Sequence, residues 1–328
     1  MSVLVTGGAG YIGSHMVLAL ADAGEEVTVL DNLSTGLKAA VDTRAELVEG
    51  DIGDAELVRG TIQRKNITDV VHFAGSIVVP ESVADPLKYY SNNTAKTRSL
   101  IECCVKENVS RFVFSSTAAV YGSPEKIPVT EDVQLAPMSP YGRSKLMSEW
   151  MLQDVAAAHD LTYVVLRYFN VAGADPAGRS GQSTKDATHL IKVAVQAALG
   201  VRDHVKIFGD DYATPDGTGV RDYIHVSDLI SAHEAAVKYL RSGGESLIAN
   251  CGYGHGSSVK QVIEAVERVA GKTIDARLDA RRAGDPDEIV ANAELARQRL
   301  GWTPKHDDLD EIVRHAYGWE SKLVQAAE

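Results

Sequence analysis

A strand, a run of glycines and a helix open this chain, and that order restricts the fold more than any other feature. Val3-Leu4-Val5 is an apolar run of the kind buried on both faces of a parallel sheet. Gly7-Gly8-Ala9-Gly10-Tyr11-Ile12-Gly13 comes next, and the apolar spacing then predicts a helix from about Ser14 to Ala23. Gly8, Gly10 and Gly13 satisfy a dinucleotide fingerprint, and Gly7 adds room for the backbone to approach a pyrophosphate at the helix N-terminus. Alone, the glycine pattern is weak. It strengthens because Glu26-Val27-Thr28-Val29-Leu30 reads as a second strand ending at Asp31, near the expected spacing for an acidic residue. A carboxylate there accepts from the adenosine ribose hydroxyls and repels a 2′-phosphate, so NAD is preferred over NADP. The competing reading is an Asp in an ordinary turn. Gly7, Gly10, Tyr11, Ile12, Gly13 and Asp31 are thus the first candidate cofactor residues.

The alternation of strand and helix continues. Glu46-Leu47-Val48 is a third strand leading to Asp51-Ile52, where doubly wound chains pass the adenine edge, and Asp69 to Phe73 is a fourth, ending in Phe73-Ala74-Gly75. A long helix is expected from about Leu87 to Glu107. Arg111 to Phe114 is a fifth strand, ending in Ser115-Ser116-Thr117, and Thr162 to Leu166 a sixth. Such alternation implies an α/β fold, a Rossmann-like doubly wound parallel sheet with ligands at the carboxyl ends of its strands. A chain of 328 residues exceeds one small core. A smaller C-terminal α/β substrate-binding lobe is therefore expected over 171–328, with a cofactor-binding domain over 1–170 to which segments around 220–250 return. Helices are expected at Ala293 to Leu300 and Asp308 to Val324.

The formal charge of −12 argues against nucleic acid or an anionic membrane surface as the main partner, while leaving room for a local cationic pocket. Cys103, Cys104 and Cys251 lack metal-ligand spacing, as do the scattered histidines, so buried thiols in a reducing compartment and no metal are expected. The chain opens on a strand with no charged leader, and no apolar run reaches spanning length. A cytoplasmic protein fits these features.

Ser139-Pro140-Tyr141-Gly142-Arg143-Ser144-Lys145 carries the chemistry. Pro140 suits a helix start, so Tyr141 and Lys145 fall one turn apart on one face. Bringing a phenol from about 10 to about 7 takes roughly 4 kcal/mol, and one positive charge at about 5 Å supplies roughly 3 kcal/mol at an effective dielectric near 20. A second positive charge, such as an oxidised nicotinamide ring, would complete the shift. In isolation, Tyr-x-x-x-Lys reads more simply as two surface residues.

Taken in order and spacing, the glycine turn, Asp31-Asn32, Gly50-Asp51-Ile52, His72-Phe73-Ala74-Gly75, Asn92-Asn93, Ser115-Ser116-Thr117 and Tyr141-x-x-x-Lys145 resemble the extended short-chain dehydrogenase/reductase family. The resemblance implies that Thr117, Tyr141 and Lys145 act together on a sugar hydroxyl. Tyr141, as phenolate, would accept the O4 proton, Thr117 would bridge it, and Lys145 would lower its pKa and bind the nicotinamide ribose. It also implies cofactor contacts from Asn32, Leu33, Ser34, Thr35, Gly36, Asp51, Ile52, Phe73, Ala74, Gly75, Asn92, Ser115 and Phe169.

Dehydratases and decarboxylases of the family place an acid just after the hydroxyl residue, whereas this chain has Thr117-Ala118-Ala119. The resemblance is therefore to the family's UDP-hexose 4-epimerases, and it covers essentially the whole chain. It implies reversible epimerisation of UDP-glucose and UDP-galactose through a 4-keto intermediate, in a homodimer joined by the Leu87 and Tyr141 helices. For the UDP-sugar it implies Asn170 and Arg221 on the diphosphate, the latter within Asp216-Gly217-Thr218-Gly219-Val220-Arg221-Asp222. Arg282 would take phosphate and Asp285 the uridine ribose, within Arg281-Arg282-Ala283-Gly284-Asp285. Lys206, Ile207 and Phe208 would pack on uracil, and His189-Leu190 stands where the family often has Asn-Leu. Thr117 and Ile289 would face the sugar, and Ile289 stands where many bacterial members have a tyrosine, leaving room for an N-acetyl group. A 4-epimerase of another UDP-sugar, N-acetylated or pentose, and a non-catalytic NAD-binding regulator are the open alternatives. The retained Thr117, Tyr141 and Lys145 weigh against the regulator.

Overall fold

Apolar stretches too regular to face water become the centre of one parallel sheet. In the computed structural model, which describes residues 1–184, 187–282 and 285–326, its strands include β1 (Ser2–Thr6), β2 (Glu26–Asp31), β3 (Glu46–Glu49), β4 (Asp69–His72), β5 (Arg111–Ser115) and β6 (Thr162–Tyr168). A seventh, Leu247–Cys251, joins beyond β6, giving the order Leu247–Cys251, β6, β5, β4, β1, β2, β3. Every neighbouring pair is parallel. The order reverses direction between β1 and β4, so a crevice opens at the carboxyl ends of those strands.

Period-two alternation divides the core into two layers. Val3, Val5 and Val29 pack with Met16 and Val17 of the helix Tyr11–Asp22 and with Leu229 and Ile230 of the helix Val226–Arg241. Leu4, Leu30 and Val70 face the other way, onto Val58 and Ile62 of the helix Ala55–Lys65 and Leu100 and Ile101 of the helix Lys96–Lys106. Both faces of the sheet are covered, as a parallel sheet requires.

The first helix starts at Tyr11, earlier than its apolar pattern suggests, because the glycine turn itself forms its N-terminus. The long helix expected from Leu87 to Glu107 runs without a break from Pro86 to Lys106, with its middle widened: Pro86–Tyr89 and Lys96–Lys106 are α-helical, and Tyr90–Ala95 between them is π-helical. Asn93 explains the widening. Its amide donates to Ser76 O at 2.9 Å and to the Ser144 hydroxyl at 3.1 Å, while Thr94 donates to Ser144 O at 3.2 Å. The tyrosine helix runs Pro140–Ala158, with Ser139 accepting from the Gly142 amide at 3.2 Å.

The second half builds small sheets. Asn170–Ala172 pairs with Tyr223–His225, Val205–Phe208 pairs with Ala276–Asp279, and Val220–Arg221 lies between Ser257–Ser258 and Glu288–Ile289. The helices Leu190–Ala198, Val259–Ala270 and Leu309–Gln325 pack together beside them. Glu294–Leu300 and Leu309–Gln325 match the two late helices to within a residue. Among the described residues, no helix is long and apolar enough to cross a membrane.

Candidate active site

The crevice is built first from the glycine turn. Gly7 has a φ of +72°, and a Cβ there would meet Ala74 N at 2.6 Å. A Cβ on Gly13 would fall on the Gly7 carbonyl oxygen. The turn is thus packed tightly on itself and against the end of β4, at the N-terminus of Tyr11–Asp22. Tyr11 donates to Gly173 O at 2.7 Å and fastens the turn to the loop after Asn170–Ala172. Ile12, beside it, packs against the main core.

Asp31 closes β2 and is nearly buried. One carboxylate oxygen accepts from Ala9 N at 2.9 Å, the other from Leu33 N at 2.8 Å. Leu33 is forced to a φ of +56°, and Ser34 N donates to Asn32 Oδ1 at 3.1 Å. Gly36 lies against Ala9, where a Cβ would come within 2.8 Å of the alanine methyl. The segment from Asn32 through Thr35 to Gly36 therefore wraps the glycine turn. Asn32 also donates to Asp51 at 3.1 Å, and Asp51 pairs with Lys96 at 2.7 Å. Burial opposes ionisation of Asp51, but Lys96, the Gly53 amide and Asn32 outweigh it and hold its carboxyl below the usual range. Ile52 is buried beside it.

On the other side, the Phe73 ring lies tilted against His233 with centroids 4.8 Å apart, and Ala74 and Gly75 come after it. Gly75 leaves the gap into which Lys145 reaches: a Cβ there would lie 3.7 Å from Lys145 Nζ. Asn92 donates to the Ser76 hydroxyl at 3.1 Å, yet its buried neighbour Asn93 carries more of the structure. Ser115 gives its hydroxyl to His233 at 2.8 Å and its carbonyl to Lys145 Nζ at 3.0 Å. His72, bonded to Thr6 and Thr97 at 2.6 and 3.0 Å, is a core residue pushed down to about 3 by burial.

Thr117, Tyr141 and Lys145 converge, all buried. Tyr141 stands edge-on to Tyr89 at 6.3 Å. Burial raises its phenol above the ordinary value, and a hydrogen bond with Thr117 pulls it partly back. Burial lowers Lys145 to about 8, opposed by the charge of Glu149 one turn on. Without a ligand the phenol therefore stays protonated, and the second positive charge expected from the Tyr141–Lys145 spacing is needed all the more.

Phe169 belongs to a small cluster with Ala118, Leu146 and Ile289. Ile289 pairs across the small sheet with Arg221, placing these two side by side. Arg221 donates to Val220 O at 2.8 Å, and among the described residues neither it nor Arg282 has a carboxylate partner. Arg282 lies 3.7 Å over the Phe208 ring. On the same strand Lys206 pairs with Asp279 at 2.8 Å, while Ile207 turns to the main core. Asp285 N donates to Arg282 O at 3.4 Å; Ala283 and Gly284, between them, lie outside the described residues. Asn170 and the His189-Leu190 pair line one cleft, with His189 Nδ1 accepting from Gln182 at 2.7 Å. Asn93 and Ser116 lie within motifs the sequence already marks but have no role of their own there, and nothing in the local pattern of Glu149, Arg167 and His233 distinguishes them from helix or strand filler.

A dinucleotide-type crevice, a Thr-Tyr-Lys constellation and two arginines with no carboxylate partner among the described residues occur in one chain. The profile of the NAD-dependent epimerase/dehydratase family matches residues 3–252, and the chain belongs to that family. Within it, the chain is 57% identical over 324 residues to a UDP-glucose 4-epimerase of Azospirillum brasilense, covering 99% of this chain and 93% of that one. A UDP-glucose 4-epimerase structure from Brucella ovis, in complex with NAD, superposes with a TM-score of 0.94 at 45% identity over 97% of both chains. The UDP-Glc/GlcNAc 4-epimerase of Campylobacter jejuni superposes with a TM-score of 0.86 at 48% identity, over 98% of this chain and 99% of that one.

Proposed function

We propose that this protein is an NAD-dependent isomerase that reversibly inverts C4 of a UDP-hexose, interconverting UDP-glucose and UDP-galactose through a 4-keto sugar. The observation that carries the reading is the convergence of Thr117, Tyr141 and Lys145 at the carboxyl end of β5, with Ala118 and Ala119 where elimination would need an acid. A Cβ at Gly7 or Gly13 would strike the backbone of Ala74 or of Gly7, so the two glycines keep the turn tight with its amides directed at one point, an arrangement that suits a pyrophosphate. When bound, NAD supplies the carbon that takes and returns a hydride.

The chain's own residues do the rest. The amides after Gly7, Gly10, Tyr11 and Ile12 hold the pyrophosphate, with Gly13 packed against the turn beneath it, and Asp31 keeps spare lone pairs for the adenosine ribose. Asn32 to Gly36 with Asp51 and Ile52 wall the adenine side, and Phe73, Ala74, Gly75, Asn92, Ser115 and Phe169 wall the nicotinamide side. Tyr141 takes the O4 proton and later returns it, Thr117 aims that hydrogen bond, and Lys145 holds the nicotinamide ribose. Arg221 and Arg282 grip the diphosphate in a way lysine could not match, helped by Asn170. Lys206, Ile207 and Phe208, with His189, Leu190 and Asp285, hold the uridine. A tight diphosphate grip leaves the hexose free to turn between the two steps.

Residues 1–170, with the later strand Leu247–Cys251, form the NAD-binding unit in this reading, and 171–328 supply most of the substrate lobe. A cytoplasmic homodimer serving galactose metabolism completes it. Exposed apolar side chains support the dimer: Val83 and Leu87 beside the tyrosine helix, and Trp150 on it. Light scattering at twice the chain mass is the expected result.

Chromatography of UDP-sugars tests the activity. Incubation with either sugar should yield the other, and an NAD-loaded protein that leaves both unchanged would be a binding protein only. Asp31→Asn should weaken NAD about tenfold and narrow the discrimination against NADP, read by titration calorimetry. Ile289 favours a wider substrate range, since a side chain smaller than tyrosine stands beside Arg221. UDP-N-acetylglucosamine should turn over within about tenfold of UDP-glucose, and Ile289→Tyr should remove at least about tenfold of that activity. No turnover of the N-acetyl sugar, under conditions where UDP-galactose reacts well, removes this extension.

A further inference from the structure

Beneath the site lies a buried ion pair to which the proposed reaction gives no part. Glu149 sits one turn beyond Lys145 on the tyrosine helix and is wholly buried; Arg167, the penultimate residue of β6, is 2% exposed. Arg167 Nη2 lies 2.6 Å from one carboxylate oxygen, and its Nε lies 3.1 and 3.2 Å from the two. Glu149 also accepts from the Ser116 hydroxyl. Arg167 Nη1 donates to Tyr121 at 3.0 Å, and Tyr121 donates to Asn250 at 2.7 Å. Burying two charges is costly, and an apolar pair of similar volume often holds a fold equally well. Stability is a poor reason for this pair.

Its position supplies a better one. Ser115, Ser116 and Thr117 leave the end of β5 in succession. Lys145 holds the carbonyl of the first, Glu149 holds the hydroxyl of the second, and the third is the hydroxyl beside Tyr141. Two successive turns of one helix thus clamp the strand end that carries Thr117.

The other titratable groups around Lys145 and Tyr141 come from several elements. They are His72 from β4, Tyr89 from the segment Pro86–Tyr89, Tyr121 and Glu131 from the chain after β5, Tyr163 and Tyr168 from β6, and His233 from the helix Val226–Arg241. Burial holds the tyrosines as phenols, pushes the Glu131 carboxyl up, and keeps both histidines uncharged. Of the carboxylates, Glu131 accepts from Asn250 N and lies near Arg167, and Glu81, held below its usual range by Lys88, accepts from the Tyr89 hydroxyl, whereas Glu149 is the one bonded to the end of β5.

We propose that Glu149 and Arg167 are positioning residues: as a pair they fix Ser116, and through it Thr117, and they set the electric field in which Tyr141, with the Lys145 ammonium beside it, takes and returns the substrate proton. This rests on the assignment of Tyr141 to proton transfer.

The test uses the sign of the field. Glu149→Gln is nearly isosteric and leaves Arg167, which keeps its charge at any working pH, without its bonded carboxylate, Glu131 being the nearest one left. The added positive potential favours the Tyr141 phenolate and disfavours the Lys145 ammonium. Both limbs of the kcat/KM profile against pH should therefore move to lower pH, by about one unit. Adding Arg167→Met restores neutrality and should return the limbs to their wild-type positions at a reduced rate. Ser116→Ala changes no charge and should lower kcat about tenfold with the limbs unmoved. Unmoved limbs in Glu149→Gln, or a double variant whose limbs do not return, overturn the proposal. So does failure of either charge variant to fold, which would assign the pair to stability. Tyr141→Phe separates the two levels: if it retains activity, the underlying assignment fails, and if it is inert while the limbs stay put, only this proposal fails.

Discussion

Tyr141→Phe is expected to lower kcat by about 10²- to 10⁴-fold while the protein keeps its NAD. The substitution deletes one oxygen from a side chain that is already buried and packed against Tyr89, so neither the helix nor the crevice has cause to rearrange. It removes the group that Thr117 and the start of the helix place together as a proton acceptor. Lys145 cannot take over. Burial lowers it only to about 8, it remains cationic at neutral pH, and its ammonium is engaged by Ser115 O at 3.0 Å. Kinetics on the purified variant, with NAD content measured alongside, check this. A rate near that of the parent contradicts the assigned chemistry, and loss of NAD would show that the phenol holds the fold of the crevice instead.

Gly13→Ala is expected to abolish tight NAD binding, with a loss of at least about 100-fold in affinity, and activity with it. The new Cβ would land on the Gly7 carbonyl oxygen. Gly7 has no freedom to retreat, because it is packed against Ala74 and its φ of +72° is one that glycine alone adopts at ease. The helix Tyr11–Asp22 must instead move away from the turn, which withdraws the N-terminal amides from the pyrophosphate. Met16 and Val17 of that helix pack on Val3 and Val5, so some stability is lost with the shift, and the folded state of the variant is established first. Calorimetric titration with NAD and circular dichroism decide it: undiminished NAD binding means that the turn does not cradle the cofactor.

Much of the fold was legible because its signals are local. β1, β2, β4 and β5 are short apolar runs with no other place to go, and Ser139-Pro140 announces the tyrosine helix by its cap and its first-turn proline. What escaped reading depends on partners far along the chain. Leu247–Cys251 contains Asn250 and looks like no core strand; it becomes one by pairing with β6 across a long crossover. The two-residue strands Val220–Arg221 and Glu288–Ile289 have no periodicity to detect, yet their pairing sets Ile289 beside Arg221. The π-helical turn at Tyr90–Ala95 arises from Asn93 reaching Ser76 and Ser144, residues on two other segments. Glu149 and Arg167 have the look of a solvated helix face and an edge strand, and only the tertiary structure buries them against each other.

The mechanism stands or falls on C4 being inverted by removing hydrogen from it and returning that same hydrogen to the other face. UDP-glucose carrying deuterium at C4, incubated with the purified protein and no added reductant, follows that hydrogen. Return of the hydride gives UDP-galactose with the deuterium still at C4 and none in the water. Deuterium lost to solvent would mean that C4 gives up a proton, and the assignment of Thr117, Tyr141 and Lys145 to a sugar hydroxyl would have to be abandoned.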